Sequence, residues 1–298
     1  KDAKAGDHLF LHYSGHGTQV TDEDGDEEDG KDEALCPCDY QAAGFLTDDD
    51  LRRMTCAKLP RGCRLTVILD CCHSGTALDL MYKVDIGEGG KALNIVKKRT
   101  AQTPCEADIV MLSGCMDDQT SADAGVGLAG NKLAAGAMTT AFKLVITKLP
   151  NATYMQVLSE MRKFLRVNKF EQVPQLSSDH AITLSDCFMP EAHAEAQASE
   201  PPPPVATRPP VRKALTIGIN YLTLWPGKGR LSGCINDSDT IISILKDTFG
   251  FQDSQICRLR DDRANMMPTK ANMLASMRWL TAGAGPEDEL FPPHNRPR

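Results

Sequence analysis

The chain has 298 residues, 41% hydrophobic and 24% charged, the balance of a soluble globular protein with one large or two modest domains. Its net charge of −7 leaves no electrostatic footprint for nucleic acid, and no apolar run approaches the roughly 18–20 residues that span a membrane. Eleven cysteines, an odd number without the spacing of a disulfide scaffold, point to a reducing, cytoplasmic setting, while a start at Lys1 is silent on any N-terminal targeting segment.

His8–His12 is a short apolar run, the pattern of a parallel strand covered on both faces, and it runs into Tyr13-Ser14-Gly15-His16-Gly17. From Asp22 to Glu33 nine acidic residues stand with one lysine. Set against an EF-hand loop, Asp22, Asp24, Asp26 and Glu33 take positions 1, 3, 5 and 12, but Glu27 replaces the glycine of the sharp turn. The run therefore reads as a solvated acidic loop. A short helix is predicted over Asp50–Met54, and Cys36, Cys38, Cys56 and Cys63 match no standard zinc spacing. A second apolar strand, Leu65–Leu69, ends in Asp70-Cys71-Cys72-His73-Ser74-Gly75.

Further strands at Ile109–Leu112 and Ala181–Leu184, with helices at Thr139–Thr147 and Tyr154–Phe164, complete a first block, residues 1–190. Residues 191–212 form a Pro- and Ala-rich linker of extended type, which includes Pro201-Pro202-Pro203-Pro204. The second block, 213–298, opens with the strand Ala214–Ile219. It continues through a helix at Ser238–Asp247, a strand at Ile256–Leu259 and a helix at Thr269–Leu280. Strands alternating with helices make this an α/β chain.

The two Gly-rich motifs carry the chemistry. In open α/β sheets the carboxyl ends of neighbouring strands share one crevice where ligands bind. A His and a Cys there form a base–nucleophile pair, and glycines let backbone N–H groups approach a developing oxyanion. A buried cysteine and a satisfied core histidine are the structural alternative. His73 points away from Cys72 if strand alternation persists, and Cys71 reads as a buried strand-end residue.

Ser-Gly-His-Gly and Asp-Cys-Cys-His-Ser-Gly, in this order and at this separation, resemble the metacaspases, caspase-like cysteine peptidases. Ser113-Gly114-Cys115, Asp117 to Ala122 and Gln172-Val173-Pro174-Gln175-Leu176 resemble the small-subunit region of the type I members, from about residue 105. Leu231 to Asp237 resembles the start of their large subunit. The resemblance implies a caspase-like α/β/α sandwich with a mostly parallel central sheet. It also implies a protease in which His16 is the base, Cys72 the nucleophile, and the N–H groups of Gly17 and Cys72 the oxyanion donors. Cleavage after Arg or Lys is implied, with Ser14, Asp70, Cys234 and Asp237 lining the pocket. The residue-level alternative for Asp237 is an N-cap ahead of Ser238–Asp247. Activation by Ca²⁺ through Asp32, Asp48, Asp49 and Asp79 is implied as well, the alternative being surface aspartates that cap Asp50–Met54. Substrates are proteins or peptides, with no nucleic acid or membrane partner. Self-cleavage falls at Lys83, Lys91, Lys97, Lys98 or Arg99.

The order of the blocks departs from the family pattern, because the segment resembling the start of the large subunit follows the His–Cys block. Glu287-Asp288-Glu289-Leu290-Phe291 even resembles Gly6-Asp7-His8-Leu9-Phe10. A fragment of a tandem array and a circular permutation both account for this permuted order. The 22-residue linker, 191–212, extends to about 70 Å, enough for the second block to fold back. A monomer is expected, or a domain-swapped dimer if the second block docks on another copy.

Overall fold

The computed structural model describes residues 3–22, 25, 30–72, 74–86, 93–97, 104–114, 136–170, 172–189, 209–224 and 229–282. Most of the linker, Cys115, Asp117–Ala122, His73, the basic residues Lys91, Lys98 and Arg99, and Glu287–Phe291 lie outside the described residues.

Four apolar runs form the centre of one large sheet: β1 (His8–Ser14), β5 (Arg64–Asp70), β8 (Asp108–Ser113) and β10 (Arg212–Gly218). With β11 (Ile256–Arg260) they run parallel in the order β11-β10-β1-β5-β8. Three antiparallel strands, β9 (Gln175–Ser178), β6 (Tyr82–Ile86) and β7 (Leu93–Lys97), extend the sheet beyond β8. A second, antiparallel sheet joins β2 (Gly17–Thr21), β3 (Lys31–Leu35) and β4 (Leu46–Thr47), with the short helix α1 (Tyr40–Ala43) between β3 and β4.

Both faces of the large sheet are buried because both sets of alternating residues are apolar. Leu9, Leu11, Tyr13, Leu65, Val67, Leu69, Leu215 and Ile217 enter one core, with Met273, Met277 and Leu280 of α6 (Lys270–Thr281) and Leu51 and Met54 of α2 (Asp48–Met54). Phe10, Ile68, Val110, Leu112 and Ala214 enter the other. There they meet α3 (Ala137–Lys148), α4 (Tyr154–Val167) and α5 (Cys234–Asp247) through Phe142, Leu158 and Ile241. The result is a mixed α/β sandwich with helices on each face.

The late segment is integral to this sheet. β10 pairs with β1 in register from His8↔Arg212 to Ser14↔Gly218. Asp7 anchors the junction: its carboxylate accepts from Val211 N–H at 2.9 Å and its carbonyl from Arg64 N–H at 2.9 Å. Leu215, Ile217, Ile219 and Tyr221 are fully buried in the core that holds Leu9 and Leu11. Each such side chain contributes roughly 2 kcal/mol relative to exposure.

The strand expected at Ala181–Leu184 is absent, and this is a correction. The chain there is a turn-containing loop whose Ile182 and Leu184 pack on the helical core. The strand lies earlier, at Gln175–Ser178, where all four residues are buried and pair antiparallel with β8 and, through Ser177 and Ser178, with β6. Apolar content alone selected the wrong run, since a loop closing over a core also needs apolar residues. Helix α5 begins at Cys234, one turn earlier than the periodicity predicts, with Gly233 as its N-cap. Asp237 is therefore a first-turn residue and not the cap. Thr47, rather than an aspartate, caps α2 by accepting from Asp50 N–H at 3.3 Å.

Helix α4 carries a reciprocal cap: Thr153 Oγ1 accepts from Gln156 N–H at 3.2 Å, and Gln156 Oε1 accepts from Thr153 N–H at 2.9 Å. Thr153→Ala removes one arm and is expected to cost about 1 kcal/mol, lowering Tm by roughly 2 °C in a thermal melt.

Candidate active site

Register places the site. Ser14 of β1 stands level with Asp70 of β5 and Gly218 of β10, so three adjacent parallel strands end together. The loops leaving them carry His16, Cys72 and Tyr221.

His16 is held through its backbone and its ring. Its N–H donates to Tyr221 Oη at 2.9 Å, and its carbonyl accepts from Tyr13 Oη at 2.7 Å and Cys36 N–H at 3.1 Å. Tyr221 Oη in turn donates to the Cys36 carbonyl at 2.7 Å, and its ring centroid is 4.6 Å from that of His16. His16 Nε2 lies 2.6 Å from the carbonyl oxygen of Gly229. A carbonyl only accepts, so Nε2 carries the proton and the lone pair of the neutral ring sits on Nδ1. Burial lowers the His16 pKa, partly offset by the Gly229 carbonyl, which favours a neutral, proton-accepting imidazole at physiological pH. The loop that supplies Gly229 is pinned in turn. Asp261 accepts from Asn220 N–H at 2.9 Å and Leu222 N–H at 2.8 Å, and the Asn220 carbonyl accepts from Leu231 N–H at 2.9 Å. His12, in the strand that leads into the motif, is fully buried, and desolvation pushes its pKa down to about 3.

Cys72 is exposed, whereas Cys71 beside it is buried with its thiol pKa pushed well up by desolvation. The two motif loops touch at Gly17. A Cβ there would stand 1.9 Å from the Cys72 carbonyl oxygen and 3.0 Å from its carbonyl carbon. Glycine is required at this point by the close approach of two backbones.

Beside this pair, the structure brings Ser14, Asp70, Cys234 and Asp237 together. Ser14 Oγ donates to Asp237 Oδ2 at 2.9 Å. Gly218 permits the approach of α5, because a Cβ there would lie 2.5 Å from the Cys234 carbonyl oxygen. Cys234 N–H donates to Asn220 Oδ1 at 3.0 Å. Asp70 caps α3: its Oδ2 accepts from Thr139 N–H at 3.1 Å and Thr139 Oγ1 at 2.8 Å, and Oδ1 accepts from Gln172 Nε2 at 3.4 Å. Both carboxyls are raised. Desolvation comes first for each, and the Asp70 charge adds to it at Asp237, which reaches about 7 despite the Ser14 hydrogen bond. Tyr221, Gly229, Thr139 and Gln172 were not singled out as functional from sequence. Only Gln172 lay within a motif, and the others meet the site solely through tertiary folding.

The acidic residues Asp32, Asp48, Asp49 and Asp79 lie on neighbouring segments. Asp48 Oδ2 accepts from Glu33 N–H at 2.8 Å and Oδ1 from Asp49 N–H at 2.9 Å. Desolvation, with the Glu33 and Asp32 charges, still drives the Asp48 pKa up to about 8. Thr76, in the loop after Cys72, bonds to the Glu33 carboxylate. Arg52 Nη1 donates to the Leu78 and Asp79 carbonyls at 2.9 and 3.2 Å, and Asp79 adopts φ 47°. Among the described residues no three His, Cys, Asp or Glu side chains are already grouped as a metal site. The four aspartate side chains supply hard oxygen donors only, the donor chemistry that a Ca²⁺-type cation takes. No described helix is long and apolar enough to cross a membrane.

A family model described as metacaspase, peptidase C14 domain, matches residues 1–81 and 212–293. Metacaspase-1 of Scheffersomyces stipitis is 41% identical over 230 residues, covering 63% of this chain and 56% of its own length. Metacaspase-1 of Mycosarcoma maydis is 41% identical over 229 residues, with the same coverages of 63% and 56%. Metacaspase-3 of Trypanosoma brucei brucei is 39% identical over 196 residues, covering 63% of this chain and 54% of its own length. The chain spans about half the length of the curated relatives it matches.

Proposed function

The chain belongs to the metacaspase family of C14 peptidases, and from that membership we propose that it is a cysteine endopeptidase cleaving after Arg or Lys. The observation that carries the reading is the pair of buried carboxyls, Asp70 at the end of β5 and Asp237 in the first turn of α5 against Ser14, beside the loops that bear His16 and Cys72. A guanidinium or ammonium entering there gains charge-assisted hydrogen bonds that a neutral side chain does not.

In the mechanism proposed, His16 Nδ1 takes the thiol proton of Cys72 while Sγ attacks the scissile carbonyl. The N–H groups of Gly17 and Cys72 receive the oxyanion. His16 then protonates the leaving amine and, as base again, activates the water that hydrolyses the thioester. The Gly229 carbonyl keeps the imidazole in the required tautomer throughout. Lys83 and Lys97 lie within paired strands, Lys83 between β9 and β7, which disfavours them as self-cleavage sites. The rival reading is a non-catalytic caspase-like interaction module, or an inactive fragment of a tandem metacaspase, that associates through a sheet edge left open by the permuted order; the pairing of β10 with β1 within one chain speaks against such an edge. The cysteines suit a reducing, cytoplasmic setting.

The test is hydrolysis of a fluorogenic Arg-terminated peptide against its Asp-terminated counterpart, by the full chain and by Cys72→Ala. Turnover of the Arg peptide alone, absent in the variant, is expected. Equal turnover of both peptides would overturn the pocket assignment, and turnover by Cys72→Ala would overturn the nucleophile.

We further propose Ca²⁺ as activator, held by Asp32, Asp48, Asp49 and Asp79; it would supply charge neutralisation that orders the loop after Cys72. Asp48 has a folded-state pKa near 8 against about 4 unfolded, so the folded state holds the extra proton between those values. Without the ion, stability therefore falls as pH rises from about 4 to 8. Ca²⁺ favours the ionised carboxylate, so the Tm increment from millimolar Ca²⁺ is expected to be larger at pH 8 than at pH 6. It should vanish in Asp48→Asn. An increment independent of pH and of Asp48 would place the ion elsewhere.

A further inference from the structure

His16 lies between Gly15 and Gly17, so its own neighbours restrain its peptide little and the restraint has to come from other segments. Two fully buried phenols supply it. Tyr221 Oη accepts from the His16 N–H at 2.9 Å, and Tyr13 Oη donates to the His16 carbonyl at 2.7 Å, the two phenol oxygens being 3.2 Å apart. They reach the backbone because residue 15 has no side chain: a Cβ there would lie 2.6 Å from Tyr13 Oη and 3.1 Å from Tyr221 Oη. The two ends of the peptide are held unequally. The carbonyl has a second donor, Cys36 N–H at 3.1 Å, whereas among the described residues the N–H has Tyr221 Oη as its acceptor. The single phenol proton of Tyr221 goes to the Cys36 carbonyl at 2.7 Å, which leaves the oxygen lone pairs to the His16 N–H. Tyr221 is itself in a sparsely populated conformation, with φ at 54°. Asp261 holds the turn there through Asn220 and Leu222 N–H, and Leu224 N–H donates to the Tyr221 carbonyl at 3.0 Å.

We propose that Tyr221 is a positioning residue for the reaction: its phenol oxygen fixes the His16 peptide and its ring, 4.6 Å from the imidazole between centroids, fixes the tilt of the base toward Cys72. The inference rests on the reading of His16 as base and Cys72 as nucleophile. It gives the late segment a task in the chemical step, since Tyr221 stands 205 positions from His16 in the chain. Among the described residues the phenol bonds to Tyr13, His16 and Cys36, and not to Asp70 or Asp237. Its loss therefore falls on the orientation of the base and leaves the carboxyls of the pocket in place, which separates it from a residue that binds substrate.

The experiment compares the full chain with Tyr221→Phe, which keeps the ring and loses the oxygen, and with Gly15→Ala, which pushes both phenols off the backbone. With an Arg-terminated peptide, kcat is expected to fall by about 10–100-fold in each variant while KM stays within about twofold. The second readout needs no substrate. Iodoacetamide alkylates Cys72 as thiolate, and the modified peptide is followed by mass spectrometry. At pH 7 that reaction draws on His16 to take the proton, whereas at pH 10, above the ordinary thiol pKa of about 8.5, Cys72 ionises unaided. Both variants, like His16→Ala, should therefore react about 10-fold more slowly than the parent at pH 7 and at the parent rate at pH 10. Buried Cys36 and Cys71 should stay unmodified at pH 7, the sign that the fold is kept; if Tyr221→Phe fails that control, Gly15→Ala decides. Parent-rate alkylation at pH 7, a loss carried by KM, or equal slowing at both pH values would each overturn the proposal. A parent rate at pH 7 in His16→Ala would instead overturn the reading of His16 as base.

Discussion

Replacing Gly17 by alanine is expected to lower kcat/KM for an Arg-terminated peptide by about 10²–10³-fold, a loss that follows from one contact. The new methyl group would fall 1.9 Å from the Cys72 carbonyl oxygen. No side chain can rotate to relieve this, because both partners are main chain, so the His16 loop and the Cys72 loop must separate. A displacement near 1 Å between base and nucleophile costs on the order of 10²-fold, and loss of an oxyanion donor adds to it. The sheet itself is not touched, so far-ultraviolet circular dichroism should be unchanged. Activity within threefold of the parent would mean that the two loops do not meet in the working enzyme.

Asp237→Asn is expected to reduce kcat/KM for the same substrate by about 10²–10³-fold, since truncating one partner of a buried charge pair costs roughly 3–4 kcal/mol. It should also change the pH profile. The Asp237 carboxyl has its pKa near 7, raised by burial and by Asp70, so it is largely protonated at pH 6 and ionised at pH 8. In the proposed pocket it is the ionised form that would bind the cationic side chain. In the parent, kcat/KM should rise through pH 7, while burial lowers the His16 pKa and so moves its own titration to the acid side of the ordinary imidazole range. The variant should lose the inflection at 7 along with the activity. A profile unchanged by the substitution would remove Asp237 from the pocket.

The central sheet was legible because its strands are predominantly apolar runs, broken only by His12, Thr66 and Thr216 before their ends: Leu9 to Ser14, Leu65 to Asp70 and Leu215 to Gly218. Such runs have few alternative uses in a chain this polar. Strands with less marked content were not legible. β9 is Gln-Leu-Ser-Ser, and its burial reflects the neighbours it receives rather than its own composition. The β6–β7 pair was read only as a place for self-cleavage, because it holds the basic residues Lys83 and Lys97. At the site, His16, Cys72, Ser14, Asp70, Cys234 and Asp237 stood out because they fall within recognisable motifs. The groups that orient them did not. Gly229 acts through a carbonyl, which every residue possesses, so no residue type marks it. Thr139 acts through the free N–H groups of a helix start whose preceding residues lie outside the described structure.

The pairing of β1 with β10 also sets a schedule for synthesis. Asp7 and Val211, hydrogen-bonded at the start of the two strands, are 204 residues apart in the chain. At ribosomal rates of about 5–20 residues per second, β1 waits roughly 10–40 s for its partner. β5 emerges early enough to pair with one flank, whereas the β10 pairing on the other, with Leu9, Leu11 and Tyr13 alongside, forms only after that interval. Nascent chains of this protein should therefore depend on chaperones more than a chain with neighbouring strands close in sequence. The soluble yield on expression should be set by that wait rather than by the stability of the finished sheet.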